Sequence, residues 1–364
     1  MTNKEAHVSR TALTATVVFT LLTFSTTADA AQSPRCTAEN GQSLIEKGRY
    51  EAAIREFSCV IGAAPTEVEG YRGRIEARLL LGQYSEAVRD YTKVTAFVLP
   101  VHPDAATTIY GGYAARLSID PDNVTALMAG SFARWYFFDY NGAIHMINDL
   151  LDVQPGSVYG NLFRGSSRIL QGATAAKGVV DLEVALALEP DSPDVRFIVA
   201  DAYTYGISDP ARAFFEASLA FAGGLDTPRV NAMLAAAYNA FGDELAAAAH
   251  IERHFELVTT ELLPTAPLTA GGSMNLGVVP GRVYEIPITV SAGEKISIAT
   301  SSHDYWDTIL LLYAPDGTAI LGRDDDKAYF AAFERVAGVS GTYRIQVTFF
   351  EGVITGSLLV QRGK

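Results

Sequence analysis

Gly41–Pro65, GQSLIEKGRYEAAIREFSCVIGAAP, decides the fold. Apolar residues recur at helical spacing on both sides of Gly48, so the stretch reads as two helices joined by a tight turn. Tyr71–Val94, YRGRIEARLLLGQYSEAVRDYTKV, repeats the design, with Gly82-Gln83-Tyr84-Ser85-Glu86-Ala87 standing 34 residues after Gly48-Arg49-Tyr50-Glu51-Ala52-Ala53. Further along, Pro65, Pro100, Pro121, Pro155 and Pro190 end helical stretches at spacings of 35, 21, 34 and 35. A period near 34 implies stacked helical hairpins, with one unit truncated or irregular.

These two stretches resemble the tetratricopeptide repeat (TPR) family, and Ala126–Pro155, Gly160–Pro190 and Met233–Val258 are looser copies. Gly41, Ser131, Gly165 and Ala235 fall where a unit's first helix presses on its second, and Ala53, Ala87, Ala143 and Ala247 answer them there. Phe57, Tyr91 and Ile147 fill the adjoining gap. Val101–Asp120 and Asp194–Gly224 depart most from the pattern and leave the count at five to six units. The resemblance implies an all-α solenoid over residues 31–264 whose inner groove, lined by first helices, holds a protein or peptide partner. On that mapping Phe132, Trp135 and Tyr136 lie on or near the groove, either as exposed anchors or as core beside the irregular unit. Arg72 faces Glu69 and Glu76, so the basic set with which some members grip a terminal carboxylate is missing.

The N-terminus has the three parts of a secretory signal peptide: Lys4 and Arg10, an apolar run from Thr11 to Thr26, and Ala28-Asp29-Ala30 before the cleavage point. Residues 1–30 are expected to be removed, leaving no membrane span, because the run is shorter than the roughly 20 residues a bilayer requires. A periplasmic or secreted location follows, and in that oxidising setting Cys36 and Cys59 are expected to form a disulfide. The formal net charge of −13 lacks the basic footprint that nucleic acid requires.

After Pro264 the pattern changes to short β-branched runs separated by Gly and Pro. Residues 265–270 read as a linker and residues 271–364 as an antiparallel β-sandwich, with strands over Val283–Val290, Lys295–Thr300, Thr308–Tyr313, Thr318–Leu321, Ala331–Val336, Thr342–Phe349 and Ser357–Gln361. The order of Val290–Ile298, Asp307–Gly317, Asp324–Asp326 and Ser340–Val347 resembles the bacterial pre-peptidase C-terminal (PPC) domain. The whole is an α+β multidomain chain, a helical solenoid followed by an all-β sandwich.

Candidate chemistry is sparse. Asp307, Asp324, Asp325 and Asp326 supply hard oxygens that could surround calcium on sandwich loops, or be solvated turn residues flanked by Arg323 and Lys327. His250-Ile-Glu-Arg-His254 places two histidines on one helical face, but Glu252 stands two residues after the first histidine, so the zinc-protease pattern is absent and His254 is a packing position. His102-Pro103-Asp104 reads as a loop. No nucleophile elbow, phosphate loop or dinucleotide fingerprint occurs, so no catalytic residue is named. The expected function is an exported, non-enzymatic protein-interaction scaffold without a cofactor, calcium aside. The alternative is an accessory protein that binds or exports extracellular polysaccharide, with Tyr305-Trp306 stacking on a sugar.

Overall fold

The computed structural model describes residues 36–66, 68–94, 113–114, 116–279, 281–302, 308–324, 331–349 and 356–363, and divides the chain into residues 1–35 and one compact unit from Cys36 to Lys364. Among the described residues six helical hairpins precede two β-sheets. The hairpins are α1 (Ala38–Glu46) with α2 (Tyr50–Ala63), α3 (Val68–Leu80) with α4 (Tyr84–Val94), and α5 (Val124–Tyr136) with α6 (Tyr140–Val153). They continue as α7 (Val158–Gln171) with α8 (Ala175–Leu188), α9 (Pro193–Ala202) with α10 (Pro210–Ala222), and α11 (Pro228–Phe241) with α12 (Glu244–Val258). A π-helical turn, Tyr203–Ile207, extends α9 and accounts for the irregular stretch there.

The turns form where the repeated glycines place them: Gly48 and Gly82 adopt φ of 69° and 74°, a left-handed conformation that costs glycine little. The disulfide between Cys36 and Cys59 ties the residues before α1 to α2, with a Cα separation of 5.9 Å. Ala53, Ala87, Ala143 and Ala247 are fully buried, as close helix packing requires.

Helix α4 departs from simple stacking. It is seated across the first helices of the later hairpins, where Tyr84 meets Tyr159 of α7 at 5.6 Å and Ser85 and Arg89 hydrogen bond to the buried Asp194 at the start of α9. Its Tyr91 ring lies 4.8 Å from Trp135, 5.5 Å from Tyr136, 6.3 Å from Phe132 and 6.4 Å from Phe197, and α4 also packs on α11. The inner trough of the solenoid is thus filled by a helix of the same chain.

The second layer is a sandwich of a five-stranded sheet, order β1-β3-β8-β5-β6, and a four-stranded sheet, order β2-β9-β4-β7. The strands are β1 (Glu261–Pro264), β2 (Ser273–Val278), β3 (Arg282–Val290), β4 (Lys295–Ser302), β5 (Thr308–Tyr313), β6 (Ala319–Asp324), β7 (Ala332–Val336), β8 (Gly341–Phe349) and β9 (Gly356–Arg362). All pairings are antiparallel except β1 with β3, which is parallel. Residues 265–270 are held down rather than free: Thr265 and Leu268 donate backbone hydrogen bonds to the Glu285 and Pro287 carbonyls, and Leu268 enters the sandwich core.

Strand β5 is buried along its whole length because it is covered on both faces. Leu310 and Leu312 enter the sandwich core, whereas Ile309, Leu311 and Tyr313 pack with Ala232 and Ala235 of α11 and Ala248, Ile251 and Phe255 of α12. Gly322 makes the approach possible, since a Cβ there would stand 2.6 Å from Ile251. Asn239 donates to the Gly322 carbonyl at 3.1 Å, and Arg335 pairs with Glu244 at 2.8 Å.

Candidate functional site

A crevice opens between the first helices of the second and third hairpins. From α3 it takes Arg72, Ile75, Glu76 and Leu79, the i, i+3, i+4, i+7 stripe of one helical face. From α5 and its C-cap it takes Phe132, Ala133, Tyr136 and Phe137, and Tyr113 closes one side. The cavity between these walls is small, about 20 Å³, and its lining is mainly apolar.

Few polar groups enter it. Arg72 donates from Nη1 to Glu69 at 2.7 Å and lies over the Phe137 ring at 5.5 Å. Among the described residues, neither the Arg72 Nε–H nor the Tyr113 hydroxyl meets a hydrogen-bond partner, although Tyr113 is only 3% exposed. Burial pushes the Glu76 carboxyl up to about 7, against the lowering effect of Arg116, a hydrogen bond from Gln42, and Arg72. Burial also raises Tyr113 well above the ordinary tyrosine value, with Glu76 adding to the effect.

The three expected groove residues therefore divide. Phe132 and Tyr136 do wall the crevice, but on α5 they also pack around Tyr91 and are buried. Trp135 is 2% exposed, and its Nε1–H donates to Ser166 at 3.0 Å. Of the two readings, exposed anchors or core, burial favours core: α4 covers the aromatic row. Tyr113 was missed because it falls in the stretch that departs from the repeat. Arg72 and Glu76 were visible as a charge pattern, and only their placement beside an aromatic wall was not.

A second, more polar cleft lies where three helix starts meet, lined by Tyr84, Ser85 and Glu86 of α4, Tyr159 of α7, and Glu189 and Ser192 before α9. Tyr159 has its pKa raised by burial, then by Asp194 and Glu189.

The other candidates are placed as follows. His254 is buried, with Nδ1–H donating to the Pro228 carbonyl at 3.0 Å, and burial lowers its pKa to about 4. His250 bonds through Nδ1 to Asn231 at 2.9 Å and stacks on Tyr238 at 5.5 Å, so each histidine is committed to a separate partner on α11. Asp324 ends β6 opposite Ile309, whereas Asp307, Asp325 and Asp326, together with His102-Pro103-Asp104 and Tyr305-Trp306, lie outside the described residues. Among the described residues no group of three His, Cys, Asp or Glu could hold a metal ion, and no helix is long and apolar enough to cross a membrane.

No family model matches the chain, and no curated protein does. Among solved structures it is similar to a tetratricopeptide repeat protein from Parabacteroides merdae, at 15% identity and a TM-score of 0.37, covering 60% of this chain and 77% of that one. A TPR protein of Thermus thermophilus is 20% identical with a TM-score of 0.33, covering 56% of this chain and all of that one. The pre-peptidase C-terminal domain of a collagenase from Bacillus anthracis is 10% identical with a TM-score of 0.23, covering 27% of this chain and 95% of that domain.

Proposed function

We propose that this chain is an exported, non-enzymatic interaction scaffold that receives a protein or peptide partner on its solenoid, with the crevice between α3 and α5 as the point of contact. The observation that carries this reading is the crevice itself: an aromatic wall beside the Arg72 Nε–H and the Tyr113 hydroxyl, which meet no partner among the described residues, on a solenoid whose main trough is already filled. Export is supported by the leader-like N-terminus and the Cys36–Cys59 bridge.

Crosslinking and capture from the exported fraction tests it, with wild-type protein compared with Phe137→Glu, which places a charge at the crevice mouth. A partner recovered with wild type and lost with the variant, at unchanged helicity, is the expected result. Equal recovery with both would place the contact elsewhere. The polar cleft favours a second reading, a polysaccharide accessory, since tyrosine rings beside carboxylates and hydroxyls are suited to a polyol. Retention on a glycan array that Tyr159→Ala abolishes would support it over the first.

A further inference from the structure

We infer that the polar cleft at the starts of α4, α7 and α9 receives an arginine side chain from a basic segment of the partner, its guanidinium against the Tyr84 and Tyr159 rings and paired with Glu86 and Glu189. This goes beyond the scaffold reading, since it places a second contact away from the α3–α5 crevice and states the charge of what is held there. The cleft has the room that the crevice lacks, about 420 Å³. Two of its walls are tyrosine rings, Tyr84 and Tyr159, with centroids 5.6 Å apart and planes tilted by 53°. Its charge is one-sided. No lysine or arginine lines it, whereas Glu86 and Glu189 do, both exposed and neither held in an ion pair among the described residues. Asp194 beside them is already answered by Arg89 at 3.1 Å. Burial raises the Tyr159 phenol, and Asp194, Glu189 and Glu86 each push it further up, which gathers the three carboxylates around that ring. Helices α6 and α8 also end at the cleft, at Gln154 and Glu189, and neither has a basic residue in its last turn to offset its negative end.

Elsewhere the chain shows what such a set takes. Arg229 lies over the Tyr205 ring at 4.6 Å and donates to Asp201 at 2.8 Å. Arg344 lies over Tyr313 at 4.8 Å and pairs with Glu285 at 2.9 Å. Arg74 lies over Tyr71 and Arg212 over Tyr203, each at 5.7 Å, and their carboxylates are Asp90 at 2.7 Å and Glu216 at 3.0 Å. In all four a guanidinium joins a tyrosine face to a carboxylate, the pairing its flat, forked shape suits. The cleft presents the tyrosines and the carboxylates without the guanidinium. An anion would enter against Glu86 and Glu189 with no lining cation to meet it, and a neutral polyol would leave both charges uncompensated. An ammonium answers the charge but has neither the flat face nor the fork.

Ligand-detected NMR on the full mature chain tests the assignment, with the N-acetyl amides of arginine, citrulline and lysine and with maltohexaose as probes. The expected result is the arginine amide binding at least about tenfold tighter than the citrulline amide, which has the same shape without the charge, and tighter than the lysine amide. Glu86→Gln with Glu189→Gln, both at exposed positions, should remove that preference. Glu39→Gln with Glu51→Gln, acids in the first turns of α1 and α2, should keep it. Equal loss with both pairs would mean attraction to an acidic chain at large and overturn the site. So would a citrulline or lysine amide that matches arginine, maltohexaose binding without any preference for arginine, or no binding of the arginine amide at about 20 mM. A captured partner that Phe137→Glu loses, with no preference for arginine, would leave the scaffold reading standing and remove only this one. A preference for arginine without any captured partner would do the reverse.

Discussion

His254 is buried and Glu76 half-buried, and burial moves their proton affinities in opposite directions. For Glu76 the folded pKa of about 7 lies above its ordinary value, so its contribution is fully present below about 4.5 and is lost as pH rises through 7. For His254 the folded pKa of about 4 lies below its ordinary value, so its contribution is present above about 6.5 and is lost as pH falls through 4. The two windows overlap and oppose each other, which flattens the stability profile of the native protein between them. Glu76→Gln should therefore stabilise by about 2 to 3 kcal/mol at pH 8, do little at pH 4.5, and expose a fall in stability below pH 6 that His254→Gln in turn removes. Urea denaturation across that range checks it, and a Glu76→Gln gain as large at pH 4.5 as at pH 8 would contradict the assignment. The packing role of His254 was legible from its register in the last hairpin. The state of Glu76 was not, because Tyr113 and the α5 residues that line the crevice with it lie far from it in sequence.

At the scale of the element, the same contrast separates the hairpins from what fills them. Gly48 and Gly82 and the small residues between paired helices are local signals, so the helical pairs could be placed from periodicity. The seven expected strands form with ends shifted by one to three residues at most. Strands β1 and β2 were missed, since Glu261–Pro264 continues a helical stretch into a proline, and Ser273–Val278 is marked by its partner β9 more than by its own pattern. Nor is there a local signal that α4 will lie in the trough, because Tyr91 looks like any gap-filling aromatic until Trp135, Tyr136 and Phe197 surround it. A buried salt-bridge pattern was also unseen: Arg74 and Arg78 grip Asp90 in one hairpin, and Arg164 and Arg168 grip Asp181 two hairpins later. If the aromatic row is core, Trp135→Ala should cost about 3 to 5 kcal/mol in chemical denaturation, leaving a cavity and an unpaired Ser166 hydroxyl. An unchanged midpoint would return Trp135 to the surface. Cys59→Ala should cost about 3 kcal/mol, the constraint a loop of this length places on the unfolded chain.

For the whole molecule, the position of the sandwich answers a requirement that any solenoid has. Stacked hairpins bury their apolar faces against neighbours, so the last one needs a cover. Ala232, Ala235, Ala248, Ile251 and Phe255 are that last face, and the outer side of the five-stranded sheet covers it with Val283, Ile309, Leu311 and Tyr313. This explains why Thr308–Tyr313 reads as a continuous apolar run rather than an alternating one: a strand covered on both faces has no solvent side to alternate with. The sandwich is therefore a cap as well as a domain, and the two parts should not melt independently. Gly322→Leu tests this at the point of closest approach, where even a Cβ would stand within 2.6 Å of Ile251 and within 3.2 Å of the α12 backbone at Ala248. Because backbone on one side and a packed core residue on the other leave no room to yield, overpacking should cost about 1 to 3 kcal/mol or separate the layers altogether. Calorimetry should show one transition for the native chain and either a lower or a split transition for Gly322→Leu. Light scattering on residues 31–260 alone should then report self-association through the uncovered face, and a monomer that melts where the full chain melts would show that the last hairpin needs no cap.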